Sequence, residues 1–359
     1  MNCKEATKSY ERWLAKQTRI VEPDLRLKHE RMSADIFSFM RATFYRWIEL
    51  WTEHCSDLAE APAVLGVGDL HVENFGTWRD QEGRVAWGIN DFDEAFDLPY
   101  TNDLVRLAVS SHLAISTNRL VLRPADACEA LFRGYARALQ EGGGPFVLAE
   151  RHEWLRSTVI SKLRDPIKFW ERLNSVPTIK TPIPNRAAKA LSSALPEAKL
   201  RHRLIHRIAG LGSLGRQRFV ALADWRGGQI AREAKALIPS AYIWLSRRNE
   251  DRSVYNRIVS QSIRCPDPFL NIYKDWIVRR LSPDCSRVRL DMLPKGHDEH
   301  RLLEAMGRET ANVHLGSKRA IEKVKNDLSR RSADWLHVAA KVMVKALNDD
   351  WQSWREVAK

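Results

Sequence analysis

Cysteine is scarce in this chain of 359 residues: Cys3, Cys55, Cys128, Cys265 and Cys285 are odd in number and far apart. That spacing builds neither a disulfide framework nor a CxxC metal knuckle, and it fits a reducing cytoplasm. No window approaches eighteen uninterrupted apolar residues, so no membrane span is expected. The first twenty residues, MNCKEATKSYERWLAKQTRI, are charged throughout and lack the apolar centre of a signal peptide. Glycine is absent before Gly66, which excludes a glycine-rich loop from the first part of the chain. A serine nucleophile elbow is also missing. The two-histidine segment HRLIH (His202–His206) has Arg203 where a zinc protease needs its glutamate. HDEH (His297–His300) reads better as a solvated loop than as a metal site.

What remains is a soluble globular composition, 44% hydrophobic and 29% charged, with enough length for one bilobal or two-domain protein. The net charge of +13 favours anionic partners such as nucleotides, phosphorylated metabolites or nucleic acid. The basic residues are nevertheless dispersed among acids, as in RAIEKVKNDL, the pattern of solvated helix faces. No basic cluster carries interleaved aromatics, so nucleic acid is not the favoured partner. The 13 tryptophans suit core and interlobe packing better than base stacking.

Apolar spacing predicts helices over residues 4–60, with Ser33 as N-cap of the helix that begins ADIF. PAVLGVGD (Pro62–Asp69) reads as a short strand with a glycine-loosened exit, and RVAWGIN (Arg84–Asn90) as a second strand after the turn RDQEG. Helical spacing resumes from Thr101 to about Leu200, interrupted by the proline-rich loop NSVPTIKTPIPN. Beyond Ile205, glycine turns alternate with strand-like runs such as RFVAL and WIVRRL, and amphipathic helices finish the chain from about Glu299.

Two acidic motifs stand out. In GDLHVENF, Asp69 and Asn74 leave a strand five residues apart, the spacing by which protein kinases place a catalytic base and a magnesium ligand. In NDFDEA, Asp91 and Asp93 fall on one side of a strand end and offer hard oxygen ligands for Mg²⁺. Either motif alone reads as a capped turn; the pair favours a metal-dependent phosphate site. Far downstream, Gly210, Gly212, Ser213 and Gly215 form GLGSLG, a GxGxxG that precedes a strand rather than a helix. This argues against a dinucleotide fold and for a loop that covers nucleotide phosphates. Arg232 and Lys235 follow in AREAKA, and either cation can reach the phosphates. The catalytic-looking motif lies about 140 residues upstream of the glycine loop, the reverse of the kinase order, so a circularly permuted kinase-like arrangement is expected.

These motifs, with MSADIFSFMRATF (Met32–Phe44), INDFDEAFDLPYTNDLVRLAVS (Ile89–Ser110), REAKALIPSA, NRIVSQSIRCPDPFL (Asn256–Leu270) and WIVRRL, resemble a bacterial family. It is the uncharacterised domain of unknown function 2252, regarded as kinase-like and related to aminoglycoside phosphotransferases. The resemblance implies Asp69 as base, Asn74 and Asp91 as metal ligands, and Gly210, Gly212 and Gly215 as the phosphate loop. The family usually has Lys before its Glu-Ala pair, whereas this chain has Arg232 before Glu233-Ala234. Either Arg232 substitutes, Lys235 takes over, or nucleotide handling is impaired. His71 matches GDLHxxN and is counted with the catalytic residues, with shaping the loop as its expected role ahead of direct catalysis. Asp103 is read as a brace for the catalytic loop or as a helix N-cap. Arg41 and Arg106 are read as surface or ion-pair residues.

The expected fold is α+β, bilobal and kinase-like. Residues 1–200 form a helical lobe with the acidic motifs, 201–295 a small β-rich nucleotide lobe, and 296–359 helices that pack back on the first lobe. The expected activity is transfer of a phosphoryl group from ATP, with Mg²⁺, to a hydroxyl of an unknown small-molecule or protein acceptor. AMP transfer, a weak pseudokinase scaffold and nucleic-acid binding are the alternatives.

Overall fold

The computed structural model describes residues 2–148, 151–160, 165–246, 253–285, 290 and 298–357. His297 of the HDEH segment lies outside them. The architecture is mixed α+β with small antiparallel sheets. Five helices come first, as the apolar spacing predicts: α1 (Cys3–Gln17), α2 (Glu22–Ala34), α3 (Ile36–Ala42), α4 (Phe44–His54) and α5 (Ser56–Ala59). The N-cap of α3 is Asp35, whose carboxylate accepts from Ser38 N at 2.8 Å. Ser33, the expected cap, sits inside α2 and donates back to His29 O. Asp wins because its carboxylate lies one residue before the first helical turn, where the free amides need an acceptor.

Four short strands follow, β1 (Ala63–Gly66), β2 (Phe75–Arg79), β3 (Val85–Ile89) and β4 (Phe96–Pro99). The turn at residues 80–84 joins β2 to β3 as a hairpin, while β1 pairs with β4. Both acidic motifs therefore lie on strand exits: Asp69–Asn74 between β1 and β2, Asp91–Glu94 between β3 and β4. Helix α6 (Tyr100–Ser116) is buried from Tyr100 to Leu113 on all sides, as a central helix must be. Helix α7 (Pro124–Glu141) opens on proline and ends on Gly142 in the left-handed region, the asymmetry expected of helix ends. Strand β5 (Phe146–Val147) adds to β3.

After α8 (Glu153–Ile160) come α9 (Pro166–Asn174) and α10 (Asn185–Ala194), then the small lobe. Its sheet contains β6 (Arg203–His206), β7 (Arg218–Trp225), β8 (Gly228–Ala236), β9 (Asn271–Tyr273) and β10 (Trp276–Leu281), in spatial order β6-β7-β8-β10-β9. The two helices before this sheet, grouped with the helical lobe by sequence, pack on it instead. Ala187, Ala190 and Leu191 of α10 meet Phe219 and Ala234 on one face, and Phe169 and Leu173 of α9 meet Val220 and Leu281 on the other. A five-stranded sheet with apolar residues on both faces needs a cover on each side, which moves the lobe's start upstream of residue 201.

Between β8 and β9 lie α11 (Ala241–Ser246) and α12 (Ser253–Gln261). Helices α13 (Glu299–His314), α14 (Ile321–Leu328) and α15 (Trp335–Val357) close the chain, and their apolar faces join the core of the first lobe through Leu302, Met306, Leu336 and Met343. Among the described residues no helix is long and apolar enough to cross a membrane.

Helices α7 and α13 cross backbone to backbone. A Cβ on Gly134 would lie 1.9 Å from Glu304 O, and one on Gly307 would lie 2.0 Å from Leu131 O. Neither neighbour can yield, because each belongs to a helix backbone. Gly134→Ala and Gly307→Ala are each expected to lower stability by about 3 kcal/mol, the upper part of the overpacking range. Gly144→Ala, which meets open space, is the neutral control in the same denaturation series.

Candidate functional site

Gly68 carries the chain out of β1 with φ +79, and a Cβ there would come within 2.3 Å of Glu94 O. The two acidic motifs touch at that point, so only glycine fits. Asp103 holds the same turn from beneath: its carboxylate accepts from Val67 N (2.6 Å), Gly68 N (2.9 Å) and His314 Nε2 (3.0 Å). It is a brace rather than an N-cap, since it makes no cap bond at the start of α6.

Asp69 is gripped by Arg106. The guanidinium donates from Nε at 3.1 Å and from Nη2 to the same Oδ1. Arg106 is fully buried, lies over the rings of Phe44 and Trp47 and donates to Met40 O at 2.9 Å. The other oxygen, Oδ2, faces Gly212, where a Cβ would approach within 3.3 Å. His71 is buried and accepts from Glu73 N through Nδ1 at 3.1 Å, which tightens the loop between Asp69 and Asn74.

Asn74 donates from Nδ2 to Asp91 O (3.1 Å) and Asp69 O (3.3 Å), tying the motifs together. Its Oδ1 is buried without a hydrogen-bond partner, as is Asp93 Oδ1. Burial, and then the neighbouring Asp91, push the Asp93 carboxyl above its ordinary range. Two crowded carboxylates and an orphaned amide oxygen are hard oxygen donors, a donor set that fits Mg²⁺.

The small lobe reaches this point with two cations. Lys235 Nζ lies 3.2 Å from Asp91 Oδ1 and 2.5 Å from Asp93 Oδ2. Arg216 bonds Glu94 at 2.9 Å and Asp93 at 3.3 Å. Burial lowers the Lys235 pKa although both aspartates oppose this, and burial raises that of Glu94. Two residues before Lys235, and so on the same face of β8, Glu233 is fully buried under three guanidiniums, Arg207, Arg218 (3.2 Å) and Arg279 (2.9 Å). Burial works against its charge, but the arginines outweigh it and hold the carboxyl well below the usual range. Three cations on one anion leave this sheet face electropositive.

The alternation of β8 puts Arg232 on the opposite face, donating to Ala194 O and stacked over Phe269. The structure thus brings Lys235, and not Arg232, to the acids. The glycine segment lies in the connection between β6 and β7 as a 3₁₀ turn, Leu211–Ser213. Ser213 Oγ accepts from Arg218 at 2.7 Å. Gly210 and Gly212 line the cavity with Ser213, whereas Gly215 turns away and its carbonyl accepts from Val21 N.

That cavity holds only about 40 Å³, between Asp69, Asn74, Asp91, Asp93 and the glycine turn. Ligand sites run to roughly 300–1,000 Å³, so the cavity is small beside them. Lys28 on α2 also lines it, donating to Gly212 O at 3.2 Å, with burial and Arg216 bringing its pKa down to about 8. Sequence reading passed over Lys28 and Arg216. The signal for Lys28 was there: it interrupts the apolar stripe Leu25, Lys28, Met32, all three of which are buried.

Residues 19–165 match the family model described as an uncharacterized protein conserved in bacteria (DUF2252). The match covers both acidic motifs, Asp103 and Arg106, and stops before the glycine turn and Lys235. No curated protein and no solved structure gives a match.

Because Arg106 is fully buried, Asp69→Asn is expected to cost about 3 kcal/mol, the lower end for breaking a buried pair, since the Asp69 side chain keeps 22% exposure. Denaturation of Asp69→Asn, Arg106→Met and the double variant checks this. The double variant is expected to be more stable than the sum of the singles.

Proposed function

We propose that this chain is a kinase-like phosphotransferase that moves a phosphoryl group from ATP to a hydroxyl in a Mg²⁺-dependent reaction. The observation that carries the reading is the convergence of Asp69, Asn74, Asp91 and Asp93 with the far-downstream Gly212 around one cavity, and the pairing of Lys235 with two of those acids. A glycine turn between the first two strands of the small sheet, with a lysine on the third, is also how protein kinases arrange their nucleotide lobe. Here that lobe follows the catalytic motifs in the chain, which supports a circular permutation.

Asn74, Asp91 and Asp93 would hold Mg²⁺, which when bound neutralises charge on the transferring phosphate. Asp69, oriented by Arg106, would accept the proton of the attacking hydroxyl. Lys235 and the electropositive face of Arg207 and Arg279 would bind the phosphates, and the glycine turn would let its backbone amides approach them. A second reading, a nucleotide-responsive scaffold without turnover, is favoured by one observation: Lys235 and Arg216 already neutralise the acids.

The test is Mg²⁺-dependent ATP binding and turnover against a panel of hydroxyl acceptors, with product mass separating phosphoryl from AMP transfer. Asp91→Ala and Lys235→Met are expected to lower turnover by about 10²–10³-fold, the usual loss for one charge-stabilising group. ATP binding without turnover favours the scaffold. Absence of nucleotide binding in the wild type refutes both readings.

A further inference from the structure

A second cluster of chemically capable side chains lies in the helical lobe, away from the acids. His112 on α6, Cys128 on α7 and His337 in the first turn of α15 face one another, with their ligand atoms all within 4.8 Å. His112 Nε2 and Cys128 Sγ are 3.3 Å apart, and the rings of His112 and His337 have centroids 5.4 Å apart. His112 and Cys128 are buried, and His337 is partly exposed. A plain histidine–cysteine hydrogen bond accounts for His112 and Cys128. It does not account for His337, whose Nδ1 is buried with no hydrogen-bond partner.

We propose that His112, Cys128 and His337 form a Zn²⁺ site that ties α6, α7 and α15 together. Imidazole nitrogen and thiolate sulfur are the donors zinc takes, at about 2.0–2.1 and 2.3 Å. Bonds of those lengths imply a tetrahedral edge of roughly 3.5 Å, close to the His112–Cys128 separation. His337 needs to close by about 1 Å toward that edge, which a ring rotation supplies at the first turn of a helix. Binding converts the Cys128 thiol to a zinc thiolate and releases its proton to solvent. Three protein ligands leave the fourth position to water, reached from the exposed side of His337. Helix α6 also carries Asp103 and Arg106, so the ion would stiffen the element on which the acidic motifs rest.

The full chain, stripped with a chelator and held in excess Mg²⁺ to saturate the oxygen site, is titrated with Zn²⁺ and with Co²⁺ as a spectroscopic probe. One equivalent is expected to bind, with a thiolate-to-cobalt charge-transfer band, the strong d–d absorption of a tetrahedral ion and a higher melting temperature. Cys128→Ser is expected to lose the charge-transfer band. His337→Gln, at a partly exposed position that tolerates change, is expected to weaken binding by roughly 100-fold or more, beyond the 10–100-fold of an outer-shell change. Cys265→Ser is expected to behave as wild type. A wild type that binds neither ion, or Cys128→Ser and His337→Gln proteins that are folded by circular dichroism and bind as wild type, would overturn the site.

Discussion

Everything at the candidate site depends on one electrostatic meeting, that of Asp91, Asp93 and Glu94 with Lys235 and Arg216. The acids come from the exit of β3 and the cations from the small lobe. Burial works against the charge of Asp93, Glu94, Lys235 and Arg216, and the opposite charges beside them offset that cost. Together they join the small lobe to the acidic motifs, beside the point where Gly212 faces Asp69. The interaction that joins the lobes is thus made by the acids that line the cavity.

Beneath this lies a layer of support that does not line the cavity. Asp103, buried and bonded to two backbone amides and to His314, sets the direction of the chain leaving β1. Arg106, one turn further along α6, sets the orientation of Asp69. Both depend on α6 being central and encased, which in turn depends on α13 and α15 packing against the first lobe. Part of the chain's excess of basic residues has a structural explanation here, because Arg106, Arg216 and Arg218 are buried on acids rather than spread on the surface.

Much of the site was legible because its chemistry is local in the chain. Asp69 and Asn74 share one loop, Asp91 and Asp93 share another, and the helix and strand periods around them mark where the loops begin. The pairing of β1 with β4 was not legible, since both strands are four residues long and pair across two intervening strands. Nor was the allegiance of α9 and α10: an amphipathic helix declares that it has an apolar face but not which surface will cover it. Ser33 failed as a cap for a finer reason, a better acceptor two residues later.

The sequence by itself determined the α+β class, the two acidic motifs, the order that puts the glycine segment last, and the oxygen donors offered to a cation. These follow from residue type, local periodicity and spacing, which are properties of neighbours in the chain. Only the tertiary structure decided between Arg232 and Lys235, because a period of two places them on opposite faces of β8 and the packing of the lobes selects one face. It alone brought Lys28 and Arg216 into the cavity, set Asp103 as a brace, and gathered His112, Cys128 and His337 from three helices. Those are contacts across 16 to more than two hundred residues, and no local pattern encodes them.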